Sequence, residues 1–251
     1  MNLIQNTILS FNKVTLADLD QVKLMDRIDQ KFCLHIADLP TILEAIQSHY
    51  SVLSIDGETI FEYDNTYFDT ADDQMFLSHQ NGKLNRYKIR IRKYVQTNNN
   101  FLEVKFKNNK GRTIKERMER SNFESNFTHD ELNFIGKTTS CYSGLKIEPK
   151  IRSYFNRLTL IDNEFTERIT IDFFPGFKNN EKEIILNKLV IIEIKQSKAA
   201  KPTLFINALK ENKIRKQGFS KYCIGRSLLE ENIKKNNFKP LLIKIRKDYY
   251  N

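Results

Sequence analysis

The sequence predicts an α+β fold in which an antiparallel barrel of about eight strands carries a few helices on its outside. Three observations support this prediction. Segments with strict alternation of polar and apolar side chains recur along the chain. Short turn-forming runs join neighbouring segments, as is typical of antiparallel pairing. The 18 Phe and 10 Tyr, against 8 Gly and 5 Pro in 251 residues, indicate a folded domain and not a disordered chain.

Three parts are predicted along the chain: a helical extension at 1–25, a main domain at 26–231 and a basic tail at 232–251. The extension contains a short amphipathic helix at 16–25. A strand at 26–36 opens the main domain, and a helix begins near Pro40.

Strands then dominate the chain. They are predicted at 60–70, 83–95, 101–107, 112–120, 150–161, 165–174, 183–186 and 189–195. The polar segment 121–140 is helical or irregular in this interpretation. Two further helices are expected, one after Pro202 and one at 220–230, with Gly218 as a stop signal between them.

One face of several predicted strands is charged. In the strand at 83–95 the side chains that share a face are Arg86, Lys88, Arg90 and Arg92. Three more strands repeat the design with Glu103 and Lys105, Arg168 and Asp172, and Glu193 and Lys195. One such strand is explained by a solvated surface, but like charges facing each other across a sheet are destabilising. We therefore expect a polyanion along these faces, and the interspersed carboxylates suggest a cation as well.

The formal net charge of +10 favours an acidic partner, which in principle is nucleic acid, a membrane surface or a phosphate-rich ligand. Single-stranded nucleic acid is disfavoured, because it needs aromatic stacking platforms and the apolar residues here alternate away from the cations. The expected location is the cytoplasm. The three cysteines, Cys33, Cys141 and Cys223, lack disulfide or zinc spacing, and no run approaches the roughly 20 apolar residues of a membrane span.

Asp69 and the C-terminal tail each allow two interpretations. Asp69 is either linked to a metal or caps the turn after its strand. The Lys-rich tail at 232–251 is either an arm for a membrane surface or a partner, or merely solvated. The four histidines show no metal-ligand spacing.

A series of short motifs resembles one known family. The motifs are Asp26-Arg-Ile-Asp-Gln-Lys31, Tyr67-Phe-Asp-Thr70, Lys88-Ile-Arg-Ile-Arg-Lys-Tyr94, Leu102-Glu-Val-Lys105, Lys115-Glu-Arg117, Tyr154-Phe-Asn-Arg157, Arg168-Ile-Thr-Ile-Asp172, Ile192-Glu-Ile-Lys195 and Phe219-Ser-Lys-Tyr222. Together they resemble the VTC domain. That domain is the polyphosphate polymerase of vacuolar transporter chaperone complexes and their bacterial relatives, in the triphosphate tunnel metalloenzyme superfamily.

The resemblance implies a β-barrel tunnel that holds triphosphate and a growing polyphosphate with Mn²⁺ or Mg²⁺. It implies transfer of the γ-phosphoryl group of ATP onto the chain, with release of ADP. The catalytic candidates are Arg90, Arg92, Lys105, Lys115, Arg117, Arg157, Arg168 and Lys221. The substrate-binding candidates are Lys31, Lys88, Lys195, Lys198, Ser220 and Tyr222. Glu193 matches the family's metal-binding glutamate, and Glu103 is the second metal candidate.

The sequence departs from the wider pattern at two positions. The first strand offers Asp29 before Lys31 where the superfamily has Glu-x-Glu-x-Lys, and Gly218 stands where polymerases often carry a lysine. A triphosphatase, a nucleotide cyclase or a non-catalytic polyphosphate-binding subunit on the same fold are the alternatives. The family also implies a separate membrane protein partner and peripheral binding at the inner face of the membrane. The oligomeric state stays open.

Overall fold

The computed structural model describes residues 2–20, 27–197 and 202–250. These residues form an eleven-stranded sheet. The strands are β1 (Asn12–Val14), β2 (Arg27–His35), β3 (Tyr50–Leu53), β4 (Ile60–Thr70), β5 (Arg86–Tyr94), β6 (Asn99–Lys107), β7 (Thr113–Arg120), β8 (Ile147–Asp162), β9 (Glu167–Lys178), β10 (Glu183–Ile185) and β11 (Leu189–Ser197). The helices are α1 (Asn2–Leu9), α2 (Leu16–Asp20), α3 (Leu39–Ile46), α4 (Gln74–Gln80), α5 (His129–Thr138), α6 (Leu204–Glu211), α7 (Lys221–Leu229) and α8 (Lys239–Lys244). The predicted helix at 16–25 is present as α2 over Leu16–Asp20, and the rest of the predicted range lies outside the described residues.

The main path through the sheet runs β2-β11-β9-β8-β4-β5-β6-β7, and every neighbouring pair on it is antiparallel. This confirms the predicted antiparallel fold with flanking helices. In the described residues no ladder joins β2 to β7, so the barrel is not closed by hydrogen bonds at that seam. The sequence of β7 explains this, because Thr113–Arg120 is a charged, exposed strand of the kind that protects a sheet edge from pairing.

Alternation gives the sheet an apolar outer face and a charged inner face. On the outer face, Ile169, Ile171, Ile192 and Ile194 are buried beneath α1, α3 and α6. The helix α3 begins with Pro40 in its first turn and buries an apolar stripe against the same core. Within the predicted extension, α1 therefore packs on the domain, because its Ile4 and Ile8 belong to this core.

A second outer core lies over β4, β5 and β6. Phe68, Ile89, Ile91 and Leu102 are buried there against Ile135 of α5. A capping box formed by Thr128 and Glu131 defines the N-terminus of α5. It therefore fixes where the helix begins within the polar segment.

Part of the inner face is also covered. There α7 and α8 pack over Tyr67, Ile151 and Ile191, which continue the inner face beyond its charged region. Gly225 allows this close approach, since a Cβ at that position would lie 2.4 Å from Phe177 Cδ1 and 2.7 Å from Ile151 Cδ1. The helix α7 thus closes part of the interior and brings its N-terminus to the charged side chains.

The C-terminal segment, predicted as a basic tail, is instead packed into this inner core. Leu241, Leu242, Ile245 and Tyr249 are buried, while the lysines between them face solvent. Helical spacing of the apolar residues explains the packing, which the Lys-rich composition concealed. Among the described helices none is both long and apolar enough to span a bilayer.

Candidate active site

The register of β4, β5 and β6 aligns charged and polar side chains on the inner face. Arg90 lies opposite Tyr67 of β4 and Glu103 of β6, and Arg92 lies opposite Asn65 of β4. Directly paired residues of antiparallel strands share a face, so these side chains meet in the interior.

Glu103 is a buried counter-ion. Its Oε2 accepts hydrogen bonds from Arg90 Nε at 2.8 Å and Nη2 at 2.5 Å, and its Oε1 accepts one from Lys115 Nζ at 3.2 Å. Burial opposes ionisation, but Arg90, Arg92 and Lys115 outweigh it and hold the pKa of Glu103 well below its usual range. With both oxygens occupied by cations, Glu103 fits the role of a fixed anion better than that of the predicted metal ligand.

Asp172 holds a second pair of cations. Its carboxylate accepts hydrogen bonds from Arg157 Nε at 2.6 Å and Nη2 at 2.8 Å, and a further one from Lys221 Nζ. Burial opposes ionisation of Asp172, but Arg157 and Lys221 bring its pKa down to about 2. The Lys221 ammonium also lies 4.0 Å from the centroid of the Phe155 ring. Lys221 therefore reaches the interior from the first turn of α7, as its motif implied.

Glu193 forms the third anionic centre, between Lys31 of β2 and Lys195 of its own strand. Lys31 donates to Glu193 Oε1, and Lys195 Nζ lies 3.7 Å from Oε2. Burial opposes ionisation of Glu193, yet Lys31, Lys195 and Lys105 hold its pKa well below the usual range. Burial lowers the pKa of Lys195 to about 8. The Glu193 side chain is 21 % exposed, against 0 % for Glu103, so of the two predicted metal ligands Glu193 is the one that a ligand can reach.

Lys105 shows that the sheet curls around its charged face. It lies on β6, far from β11 along the sheet, yet its charge acts on Glu193. Arg90, burial and Arg92 drive the pKa of Lys105 well below its ordinary value, against the opposing effect of Glu103 and Glu193. The interior thus concentrates more positive charge than its carboxylates neutralise.

Arg92 is held without a carboxylate partner among the described residues. Its Nε donates to Asn65 Oδ1 at 2.9 Å, and its guanidinium lies 5.0 Å from the Tyr63 ring centroid and 5.9 Å from that of Tyr94. Burial and the neighbouring Arg90 lower its pKa. Such a cation gains from an incoming anion, because no carboxylate is ion-paired with it and Glu103 only partly offsets its charge.

The start of α7 contributes a hydroxyl as well as Lys221. Ser220 caps the helix by accepting from the Cys223 amide at 3.3 Å, and it accepts a hydrogen bond from Lys88 Nζ at 3.0 Å. Burial lowers the pKa of Lys88. Lys88 and Ser220 therefore border the charged interior together, and their role in binding stays a prediction.

Tyr222, predicted to bind substrate, points elsewhere. Its side chain is 1 % exposed, and its hydroxyl donates to Asp69 Oδ2 and accepts from Arg226 Nη1 at 3.2 Å. Asp69 itself accepts from the amides of Met75 and Phe76 at 2.9 and 2.8 Å, so it caps α4 and fits the turn-capping alternative. Tyr222 fits a role in anchoring α7 to this cap, with its ring stacked on Tyr67 at 5.4 Å between centroids.

The remaining candidates lie at the margin of the cluster or outside the description. Arg168 lies opposite Lys195 across the β9–β11 ladder. Arg117 lies opposite Glu103 on the exposed strand β7, with its guanidinium 4.8 Å from the Phe101 ring centroid. Lys198 falls outside the described residues.

A divalent metal fits this interior only with help from a ligand. In the parts of the chain that the structure describes, no three His, Cys, Asp or Glu side chains are grouped to hold a metal ion. Mg²⁺ and Mn²⁺ in phosphate sites, however, take one or two carboxylates and complete their shell with phosphate oxygens and water. Glu193 meets that requirement as a protein ligand, since it is ionised and faces the charged interior.

Comparison with known families agrees with this geometry. Residues 26–230 match the model of the VTC domain. The chain belongs to the VTC domain family. The resemblance of the nine motifs to that domain is thereby confirmed. The comparison with curated protein sequences gives no match.

Solved structures of three proteins are similar to this VTC domain at low identity. A candidate adenylate cyclase from Vibrio parahaemolyticus is 11 % identical, with 78 % of this chain and 94 % of that chain covered and a TM-score of 0.44. A candidate adenylyl cyclase from Hippeastrum, described as having a dominant triphosphatase activity, is 15 % identical, with 81 % and 96 % covered and a TM-score of 0.47. A conserved hypothetical protein from Pyrococcus furiosus is 13 % identical, with 74 % and 88 % covered and a TM-score of 0.38. The family assignment rests on the family model.

Sequence reasoning missed the neutral residues that hold the cations of this VTC domain. Tyr63, Asn65 and Tyr67 alternate along β4 and face the interior beside Arg92 and Arg90. Their alternation is visible in the sequence, but uncharged side chains do not by themselves indicate an anion site. Their assignment to the inner face needed the β4–β5 register.

Proposed function

We propose that this VTC domain is a polyphosphate polymerase that transfers the γ-phosphoryl group of ATP onto a polyphosphate chain and releases ADP. The observation that carries the proposal is the excess of positive charge on the inner face. Arg92 and Lys105 lie there with lowered pKa values and without a carboxylate ion pair among the described residues. A chain of phosphates supplies repeated negative charge along such a surface.

The chemistry requires positioning and charge stabilisation more than covalent participation by the protein. The bond from the γ-phosphorus to the β–γ bridging oxygen breaks, and a terminal oxygen of the acceptor chain forms the new bond. Arginines suit the phosphoryl oxygens because the guanidinium donates two parallel hydrogen bonds, and lysines supply mobile charge. Fixed cations around the transferred group stabilise the charge that develops in the transition state.

Three carboxylates keep the cations in place before substrate binds. Glu103, Asp172 and Glu193 each hold two cations of the predicted set. Glu193, with phosphate oxygens, would hold the divalent cation, which when bound supplies charge neutralisation for the phosphates. Of the other two carboxylates, Glu103 orients Arg90 and Asp172 orients Arg157.

One experiment tests the proposed function. The purified chain is incubated with ATP and Mn²⁺, the products are separated on a gel stained for polyphosphate, and nucleotide products are quantified. Long chains with matching ADP release are expected. Free phosphate without chains would indicate a triphosphatase, cyclic nucleotide a cyclase, and binding without turnover an accessory subunit. A separate membrane protein that receives the chain stays a prediction.

A further inference from the structure

Tyr63 of β4 is in contact with two arginines of the inner face. The guanidinium carbons of Arg92 and Arg157 lie 5.0 and 4.9 Å from the centroid of its ring. Phe155 stacks on the same ring with 5.4 Å between centroids and 4° between planes, and Tyr94 packs beside it at 5.0 Å. One neutral side chain therefore fixes two like charges near each other.

The sheet register produces this arrangement. Tyr63 lies opposite Tyr94 of β5 and Phe155 of β8, so it occupies the strand between the two that carry Arg92 and Arg157. The two arginines repel each other, and Arg157 is among the charges that lower the pKa of Arg92. Asp172 pairs with Arg157 and not with Arg92, so the repulsion that remains has a cost, which contact with the ring offsets in part.

An aromatic ring holds a cation differently from a carboxylate. A carboxylate neutralises its partner and repels a phosphate, as Glu103 does beside Arg90. The face of an aromatic ring attracts a guanidinium through its quadrupole and carries no net charge. Arg92, which has no carboxylate ion pair among the described residues, keeps its charge for a ligand when it is held this way, whereas Arg157 is also paired with Asp172.

We infer that Tyr63 is a positioning residue that holds Arg92 and Arg157 as a pair for one phosphate group of a condensed phosphate chain. The inference rests on the proposed function and deepens it, because it names the side chain that builds the two-arginine contact. Tyr63 acts through the arginines and not on the reacting atoms.

Calorimetric titration with tripolyphosphate tests this role. Tyr63→Leu removes the ring, and its affinity is expected to fall about tenfold, a typical loss for two buried cation–π contacts. Tyr63→Phe keeps the ring and should bind within about twofold of the unaltered chain, since the quadrupole is retained. Tyr63→Met, which keeps more packing volume than Leu, is expected to show the same loss as Tyr63→Leu, so the test does not depend on the folding of one variant.

Two comparisons separate positioning from general damage to the fold. Tyr87→Leu is the matched control, because Tyr87 stacks on Phe106 at 4.5 Å on the outer face of β5 and should leave affinity unchanged. In an Arg92→Ala background, Tyr63→Leu should cost much less than alone, because one of the two positioned groups is gone.

The outcomes distinguish the inference from the function on which it rests. Wild-type affinity in Tyr63→Leu and Tyr63→Met, or losses that add in the double variant, would overturn the positioning role alone. A lack of tripolyphosphate binding by the unaltered chain would overturn the proposed function and the inference with it.

Discussion

Two arginines on β5 illustrate how neighbouring residues of one type take different roles. Arg90 forms a charge-assisted pair with Glu103, whose side chain has no exposed surface, while Arg92 rests on aromatic rings and an amide. Arg90 has a structural role, because it neutralises a buried carboxylate. Arg92 is available to an anion. Their substitution should therefore separate stability from binding.

Arg90→Ala is expected to lower the free energy of unfolding by about 3 kcal/mol, because Glu103 would stay buried with Lys115 as its remaining ion-pair partner. Arg92→Ala should change stability far less, since it leaves no buried charge unpaired, but should weaken tripolyphosphate binding strongly. Urea unfolding and calorimetry of the two variants measure both quantities. Equal losses of stability would contradict the distinction between them.

The environment of Glu167 predicts that the stability of the protein depends on pH. This residue lies outside the candidate active site. It has no exposed surface, and Tyr50 Oη donates to its Oε1 at 2.7 Å. Burial raises its pKa from 4.5 to about 7 in the folded chain. A raised pKa means that the folded chain favours the protonated carboxyl. The contribution of Glu167 to the free energy of unfolding is therefore fully present below pH 4.5 and is lost as the pH rises through about 7.

Glu167→Gln should remove this dependence. Between those two pH values the unaltered chain is expected to lose about 3 kcal/mol of unfolding free energy relative to the variant. Denaturant unfolding of both proteins at pH 5 and pH 8 measures the difference. A parallel pH dependence of the two curves would contradict the assignment to Glu167.

At the scale of the elements, alternation predicted which faces of β5, β6, β9 and β11 are charged, because that period is a local property of the chain. Other features depend on contacts between distant segments. The sequence did not show that Glu103 would be enclosed by Arg90 and Lys115, or that Tyr222 would turn toward Asp69. Nor did it show that the C-terminal segment would enter the inner core, since its Lys-rich composition concealed the helical spacing of the apolar residues that pack.

The position of α7 decides whether Ser220 and Lys221 reach the interior, and Gly225 sets that position. Gly225→Ala should destabilise the protein by about 2 kcal/mol, because its Cβ would overlap Phe177 and Ile151. Tripolyphosphate affinity should fall as well, since α7 must move. Gly218→Ala is the matched control: its Cβ would meet no atom within 4 Å, and both stability and affinity should persist. Thermal unfolding measures stability and calorimetry measures affinity. A Gly225→Ala variant with the stability and affinity of the original chain would contradict the close packing of α7.

At the scale of the molecule, the sheet curls so that charges from opposite parts of its path face one another. Apolar cores on the outer face and the packing of α7 and α8 on the inner face hold that curvature. The folded state therefore gathers cations that repel each other, and three carboxylates restrain them. A polyanion bound in the interior, as proposed, would reduce the remaining repulsion and is expected to stabilise the whole domain.

Condensed phosphate is expected to bind on the inner face, and amine labelling read by mass spectrometry tests this directly. The protein is labelled with and without saturating tripolyphosphate, and each lysine is quantified. Lys88, Lys105, Lys195 and Lys221 are expected to lose labelling, while Lys178 and Lys239, which are exposed away from the interior, should label equally in both samples. Unchanged labelling of the inner lysines, or protection confined to the outer ones, would contradict binding of condensed phosphate on the inner face.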